Sequence, residues 1–133
     1  LIGRRFVPCQ SVMNRRNYRF EMRASGYDKL MEVPFLSGCF MFLRVEALKK
    51  VEGFSKRYWM YCEDIDLCRR IGESYKTMYY PFCTIIHAHA KESFKSKIML
   101  KAHILSAIKY FNRWGWLFDK QRRKINAKAQ HQY

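Results

Sequence analysis

The chain has 133 residues, with 26 Lys+Arg against 11 Asp+Glu and a formal net charge of +15. Hydrophobic residues make up 49% and aromatics 17%, which excludes a disordered polar chain, and the length fits one domain with a small core. The excess charge is uneven: residues 1–34 hold seven basic and three acidic groups, 35–94 nine and seven, and 95–133 ten and one. A basic C-terminal part suits an anionic partner such as nucleic acid or an acidic membrane surface, and a solvated charged face is the plain alternative.

Residues 1–34 carry Arg4-Arg5 and Arg15-Arg16, show little periodicity and read as an irregular basic segment. In residues 35–94, Phe35–Arg44 reads as a strand, with Ser37-Gly38 at a point of tight backbone approach. Val45–Val51 reads as a short helix, with Gly53 where a C-terminal cap belongs. Tyr58–Tyr61 is an aromatic strand or turn, and Glu63–Ile71 a second helix. Tyr75–Tyr80 and Thr84–His87 read as extended, parted by Pro81. Alternating strands and helices predict an α/β arrangement. Over 95–118, Ile98, Ala102, Leu105 and Ile108 follow helical spacing and predict an amphipathic helix. A basic tail over 119–133 is expected to fray.

Five cysteines, an odd number without a C-x-x-C pair, read as reduced thiols of a cytosolic protein. Cys62, Cys68, Cys83 and His87 could be assembled into a zinc site, but their spacing does not follow the usual paired-ligand patterns. The uncharged runs 33–43 and 77–90 are shorter than the ~20 apolar residues that a membrane span needs.

The most informative stretch is Glu63-Asp64-Ile65-Asp66-Leu67-Cys68-Arg69-Arg70-Ile71. Acids at the start and bases at the end suit the helix dipole, which accounts for their order without any function. At about 100° per residue, Ile65, Leu67, Cys68 and Ile71 make an apolar arc with Asp64 at its centre. Glu63, Asp66, Arg69 and Arg70 fall on the opposite, polar side. Asp64 is therefore the inward acid. It is either a cap bonding its own helix amides or a carboxylate facing a pocket as a general base. Adjacent acids diverge, so the pair does not suit a glycosidase, whose two carboxylates flank one bond.

Leu36-Ser37-Gly38-Cys39-Phe40, Val51-Glu52-Gly53-Phe54, Tyr58-Trp59-Met60-Tyr61-Cys62-Glu63-Asp64-Ile65-Asp66, Tyr79-Tyr80-Pro81 and Ile85-Ile86-His87 occur in that order. Together they resemble family 2 glycosyltransferases, in the rhamnosyltransferase-like branch, over about residues 4–118. Arg4-Arg5-Phe6-Val7-Pro8 resembles the segment that precedes the acceptor region. The resemblance implies the C-terminal, acceptor-side portion of a GT-A fold and an inverting transfer from a nucleotide-sugar to a saccharide or lipid-linked acceptor, with Asp64 as the base. Ser37, Gly38, Trp59, Tyr61 and Glu63 would bind the acceptor, with plain core packing the equal alternative for Trp59 and Tyr61. His87 would stand near the metal, with His89 as the alternative. The parent enzyme would use a divalent cation, Mg or Mn, to stabilise the departing diphosphate.

The sequence departs from the family at Glu52, where another Gly is usual, and at Ser55-Lys56. It also lacks an Asp-x-Asp metal motif upstream of the acceptor region; Asp64-x-Asp66 lies on a helix with its acids about 160° apart. The resemblance therefore implies a chain without the nucleotide-binding half, which in isolation is expected to bind no cation and to be inactive. A half-domain exposes a sheet edge and apolar surface, so self-association is expected. The expected location is cytoplasmic, with peripheral attachment at the inner face of the plasma membrane as an option. The competing class is a non-catalytic basic domain that binds a membrane surface or nucleic acid; no recognised nucleic-acid motif is present.

Overall fold

A computed structural model of the chain describes residues 10–88 and 96–130. Helix α1 spans Gln10–Phe20, strand β1 Met31–Glu32, α2 Val45–Lys50, α3 Glu63–Ile71, β2 Met78–Tyr79, α4 Lys97–Trp114 and α5 Lys120–Gln130. The two strands pair antiparallel, Met31 opposite Tyr79 and Glu32 opposite Met78. Met22, Met31, Val33 and Ala129 form a buried cluster, with Leu36 and Tyr79 packed against it. The fold thus joins helices to a small sheet, and α5 helps to close its core. Among the described residues no helix is long and apolar enough to cross a membrane.

Several local expectations need correction. The segment 1–34 is not irregular throughout, since it supplies α1 and β1. Phe35–Arg44 is not a strand, because helix α3 lies beside it instead of another strand. Its amides turn to side chains of α3: Leu36 N–H donates to Cys68 Sγ at 3.4 Å and Gly38 N–H to Asp64 Oδ2 at 3.0 Å. The basic tail does not fray before Gln130. Asp119 caps α5, its Oδ1 accepting from Arg122 N–H at 2.8 Å, and Lys128 reaches Glu32 at 2.7 Å. Of the stripe expected for α4, Ala102 is buried, but Ile98 is 69%, Leu105 46% and Ile108 39% exposed. Ser106, Ala107 and Tyr110 complete the buried face. Of the extended readings, Tyr75–Tyr80 narrows to Met78–Tyr79, and Thr84–His87 forms no strand. Arg4–Pro8 and His89 lie outside the described residues.

Both internal helices form as their patterns require. At the end of α2, Gly53 N–H bonds to Leu48 O at 2.9 Å and Glu52 N–H to Lys49 O at 3.1 Å, the paired bonds of a Schellman cap. The left-handed position before that glycine falls on Glu52, at φ +57°. A side chain there costs about 1–2 kcal/mol relative to glycine. Glu52→Gly should therefore stabilise the chain by about 1 kcal/mol, read as a higher urea midpoint with an unchanged slope. An unchanged or lower midpoint would contradict the cap assignment.

Candidate functional site

Helix α3 begins abruptly. Tyr61 and Cys62 both take left-handed backbone conformations, at φ +68° and +66°, just before Glu63. Two such residues in succession are costly and persist only where surrounding contacts impose them. Here the contacts come from α4. Ser106 Oγ donates to Met60 O at 2.6 Å, and the Tyr61 ring stacks on His103 with centroids 4.6 Å apart. Burial pushes the His103 imidazole below its ordinary value, which favours its uncharged form in the stack. Burial, with Asp64 and Glu63 close by, pushes the Cys62 thiol up to about 11.

The tight turn brings Asp64 against the 37–39 loop. Its Oδ2 accepts from Gly38 N–H at 3.0 Å and its Oδ1 from Ile65 N–H at 2.8 Å. A Cβ on Gly38 would meet Asp64 Cβ at 3.3 Å, so glycine permits the approach. The two amides fix the carboxylate plane while each oxygen keeps further accepting capacity. Asp64 is half-buried and Ser37 and Gly38 are exposed, so solvent reaches this side. Neighbouring Glu63 differs: burial, reinforced by the charge of Asp64, raises its carboxyl above the usual range. Among the described residues its buried Oε2 has no hydrogen-bond partner.

The polar side expected of α3 is not exposed. Asp66 is wholly buried, and Arg69 is only 4% exposed. Asp66 accepts from Tyr58 Oη at 3.2 Å, Trp114 Nε1 at 2.8 Å and Arg70 Nε at 2.8 Å, with an Arg113 nitrogen at 3.4 Å. Burial and the Asp66 charge push the Tyr58 hydroxyl well above its ordinary value, so it stays a donor. Arg69 forms a two-pronged pair with Asp119 at 2.6 and 2.9 Å, also donates to Tyr110 Oη, and lies 4.2 Å from the Trp114 ring centroid. Hydrogen bonding to Arg69 holds the Asp119 carboxyl below the usual range. These partners stand 41 to 50 residues from Arg69, too remote for a helical wheel to register. The available hint was Asp119, the lone acid of the basic C-terminal part.

Ser37, Gly38, Glu63 and Asp64 thus come together, with Tyr61 in the turn that feeds them. Trp59 is 69% exposed, which excludes core packing for it. His87 is exposed in the irregular stretch after Pro81. Among the described residues no group of three His, Cys, Asp or Glu could hold a metal ion, and Cys68 is engaged with Leu36. The described side chains therefore do not fit a complete cation site. An apolar groove of about 720 Å³ has Met31, Leu36, Tyr79 and Ile125 among its walls. Ser37 and Ile65, the immediate neighbours of Gly38 and Asp64, line it too, as do Arg19 and Arg122.

A family model described as the N-terminal domain of galactosyltransferase matches residues 18–95. The chain is 38% identical over 98 residues to rhamnosyltransferase WbbL of Escherichia coli (strain K12), covering 71% of this chain and 37% of that protein. It is 39% identical over 59 residues to the N-acetylglucosaminyl-diphospho-decaprenol L-rhamnosyltransferase of Mycobacterium tuberculosis (strain CDC 1551 / Oshkosh), covering 44% of this chain and 19% of that protein. The counterpart from strain ATCC 25618 / H37Rv gives the same figures. The chain therefore spans little more than a third of the length of the curated relatives it matches, or less. No solved structure matches significantly.

Proposed function

The chain belongs to the glycosyltransferase family whose domain matches residues 18–95, with rhamnosyltransferases among its relatives, and from that premise we propose that it is the acceptor-side part of an inverting sugar transferase with Asp64 as general base. The observation that carries this reading is the Asp64 carboxylate, held in a fixed plane by the Gly38 and Ile65 amides on a solvent-facing side. A sugar hydroxyl is a poor acid, so its proton must leave as its oxygen attacks the anomeric carbon. An oriented carboxylate can take that proton. The bond to the nucleoside diphosphate breaks on the opposite side, inverting the sugar centre.

Glu63 supports the acceptor side of the reading. Its Oε2 is buried and, among the described residues, unpartnered, so an acceptor hydroxyl bonds to it only after a shift of the turn that admits the sugar. Exposed Trp59 can stack on a sugar face. The names of the mycobacterial relatives specify an acceptor with a diphosphate and a long isoprenoid chain. The apolar groove, with Arg19 and Arg122 among its lining residues, supports an acceptor of that class here. Rhamnose is the proposed donor sugar. A divalent cation would assist the departing diphosphate, with His87 as one ligand and the rest from outside the described residues.

On this reading the chain by itself transfers nothing, because a nucleotide-sugar site is not complete within it. Incubation with labelled nucleotide-rhamnose and a lipid diphosphate acceptor should give no product. A longer protein that joins this chain to nucleotide-binding strands should give labelled lipid. Turnover by the chain alone would overturn the division of labour. Failure of the longer protein with every nucleotide-sugar would overturn the transferase reading.

A further inference from the structure

We infer that the Trp116-Leu117-Phe118 turn between α4 and α5 is a docking tip for an anionic membrane surface. This goes beyond sugar transfer and does not depend on it. The three side chains are 54%, 74% and 84% exposed, an unusual run of apolar surface for a short connection. The turn is nonetheless held firmly. Gly115, at φ +101°, ends α4 with its N–H on Phe111 O at 2.8 Å. Trp116 Nε1 donates to Asn112 Oδ1 at 2.8 Å, and the indole stacks on Phe111 with centroids 5.1 Å apart. On the other side, Asp119 is fixed to Arg69 and caps α5. Leu117 and Phe118 are therefore presented in a set conformation, so docking orders little that is not already ordered.

Charge identifies the occupant. Residues 96–130 contain nine Lys or Arg and one acid, Asp119, which is already paired with Arg69. Lys120, Arg123 and Lys124 follow the tip directly and are exposed. A second copy of the chain would bring like charge against like. Nucleic acid would satisfy the cations but offers Leu117 no apolar medium. An anionic bilayer offers both, apolar interior for the tip and acidic headgroups for the flanking cations. Trp116, with an apolar ring and a polar N–H, suits the boundary between them.

The test is co-sedimentation of the whole chain with vesicles of phosphatidylcholine alone and of phosphatidylcholine mixed with phosphatidylglycerol. Binding is expected only with phosphatidylglycerol present, and should weaken as salt rises. Leu117→Ser with Phe118→Ser should lower the partition coefficient roughly tenfold or more. Because both side chains point to solvent, the thermal midpoint should not move. Lys120→Gln, Arg123→Gln and Lys124→Gln together should lower binding and flatten its salt dependence. No binding to the anionic vesicles would overturn the proposal. So would binding indifferent to the serine pair, or displacement from the vesicles by duplex DNA or RNA at equal phosphate concentration.

Discussion

Asp66→Ala is expected to remove most of the stability of the chain. The carboxylate is fully buried and serves Tyr58, Arg70, Trp114 and Arg113 together. Taking it away leaves a guanidinium only 12% exposed without its counter-charge, and a buried hydroxyl and indole N–H without an acceptor. Removing one partner of a buried ion pair costs about 3–5 kcal/mol, and a small domain has only about 5–15 kcal/mol in all. The network joins three parts of the chain: the 58–61 turn, α3 and the end of α4. Its loss should separate them cooperatively. Urea unfolding followed by tryptophan fluorescence reads this directly, since Trp114 is one of the four partners. Asp66→Asn should fall between wild type and alanine, because it keeps one accepting oxygen but loses the charge and turns the other oxygen into a donor. An alanine variant within about 1 kcal/mol of wild type would show that other contacts hold α4 in place.

The second large effect is chemical. Asp64→Asn, in a longer protein that carries out transfer, should lower kcat by about 10²–10⁴-fold. The substitution keeps the shape of the side chain and an oxygen for the Gly38 amide, so the 37–39 loop should stay in place. Lost are the capacity to take a proton and the acceptor that Oδ1 offers the adjacent Ile65 amide. The expected signature is a fall in kcat with little change in KM for the acceptor and a shift of the unfolding midpoint no larger than one local hydrogen bond, about 1 kcal/mol, would give. A variant that keeps its rate would remove Asp64 from the mechanism and turn attention to Glu63. A variant that loses more stability than this together with rate would make Asp64 a clip for the loop.

The two acids also show how far the sequence could be read. The limits of α3 and the burial of Leu67, Cys68 and Ile71 followed from one apolar stripe, and the structure has them. The placing of Asp66 and Arg69 on an outer face did not hold, because α4 and Asp119 cover that face. A wheel reports one helix in isolation and has no knowledge of a partner some fifty residues away. The same limitation misplaced α4, where the large aliphatics suggested the inner face. The actual inner positions are small or hydrogen-bonding, because they meet the Met60 carbonyl and the Arg69 guanidinium. The strands were missed for a related reason. Their residues are few, and what selects Met31–Glu32 over the more apolar 35–44 run is a neighbour at Met78–Tyr79. The wheel also chose the wrong inward acid: Asp66 is the buried one, and Asp64 is half-buried on a solvent-facing side.

The left-handed pair at Tyr61 and Cys62 bears on the order in which the chain assembles. Nothing in those two residues favours their conformation. What imposes it is His103 and Ser106 on α4, so the turn becomes stable only after α4 has docked. Helix α3 can form earlier from its own stripe and end charges, but its first turn, with Glu63 and Asp64, cannot take its final direction until then. Interactions made that late are absent from the folding transition state, and their loss is felt in how fast the native chain opens. Substitutions at His103 or Ser106 are therefore expected to raise the unfolding rate more than they lower the folding rate.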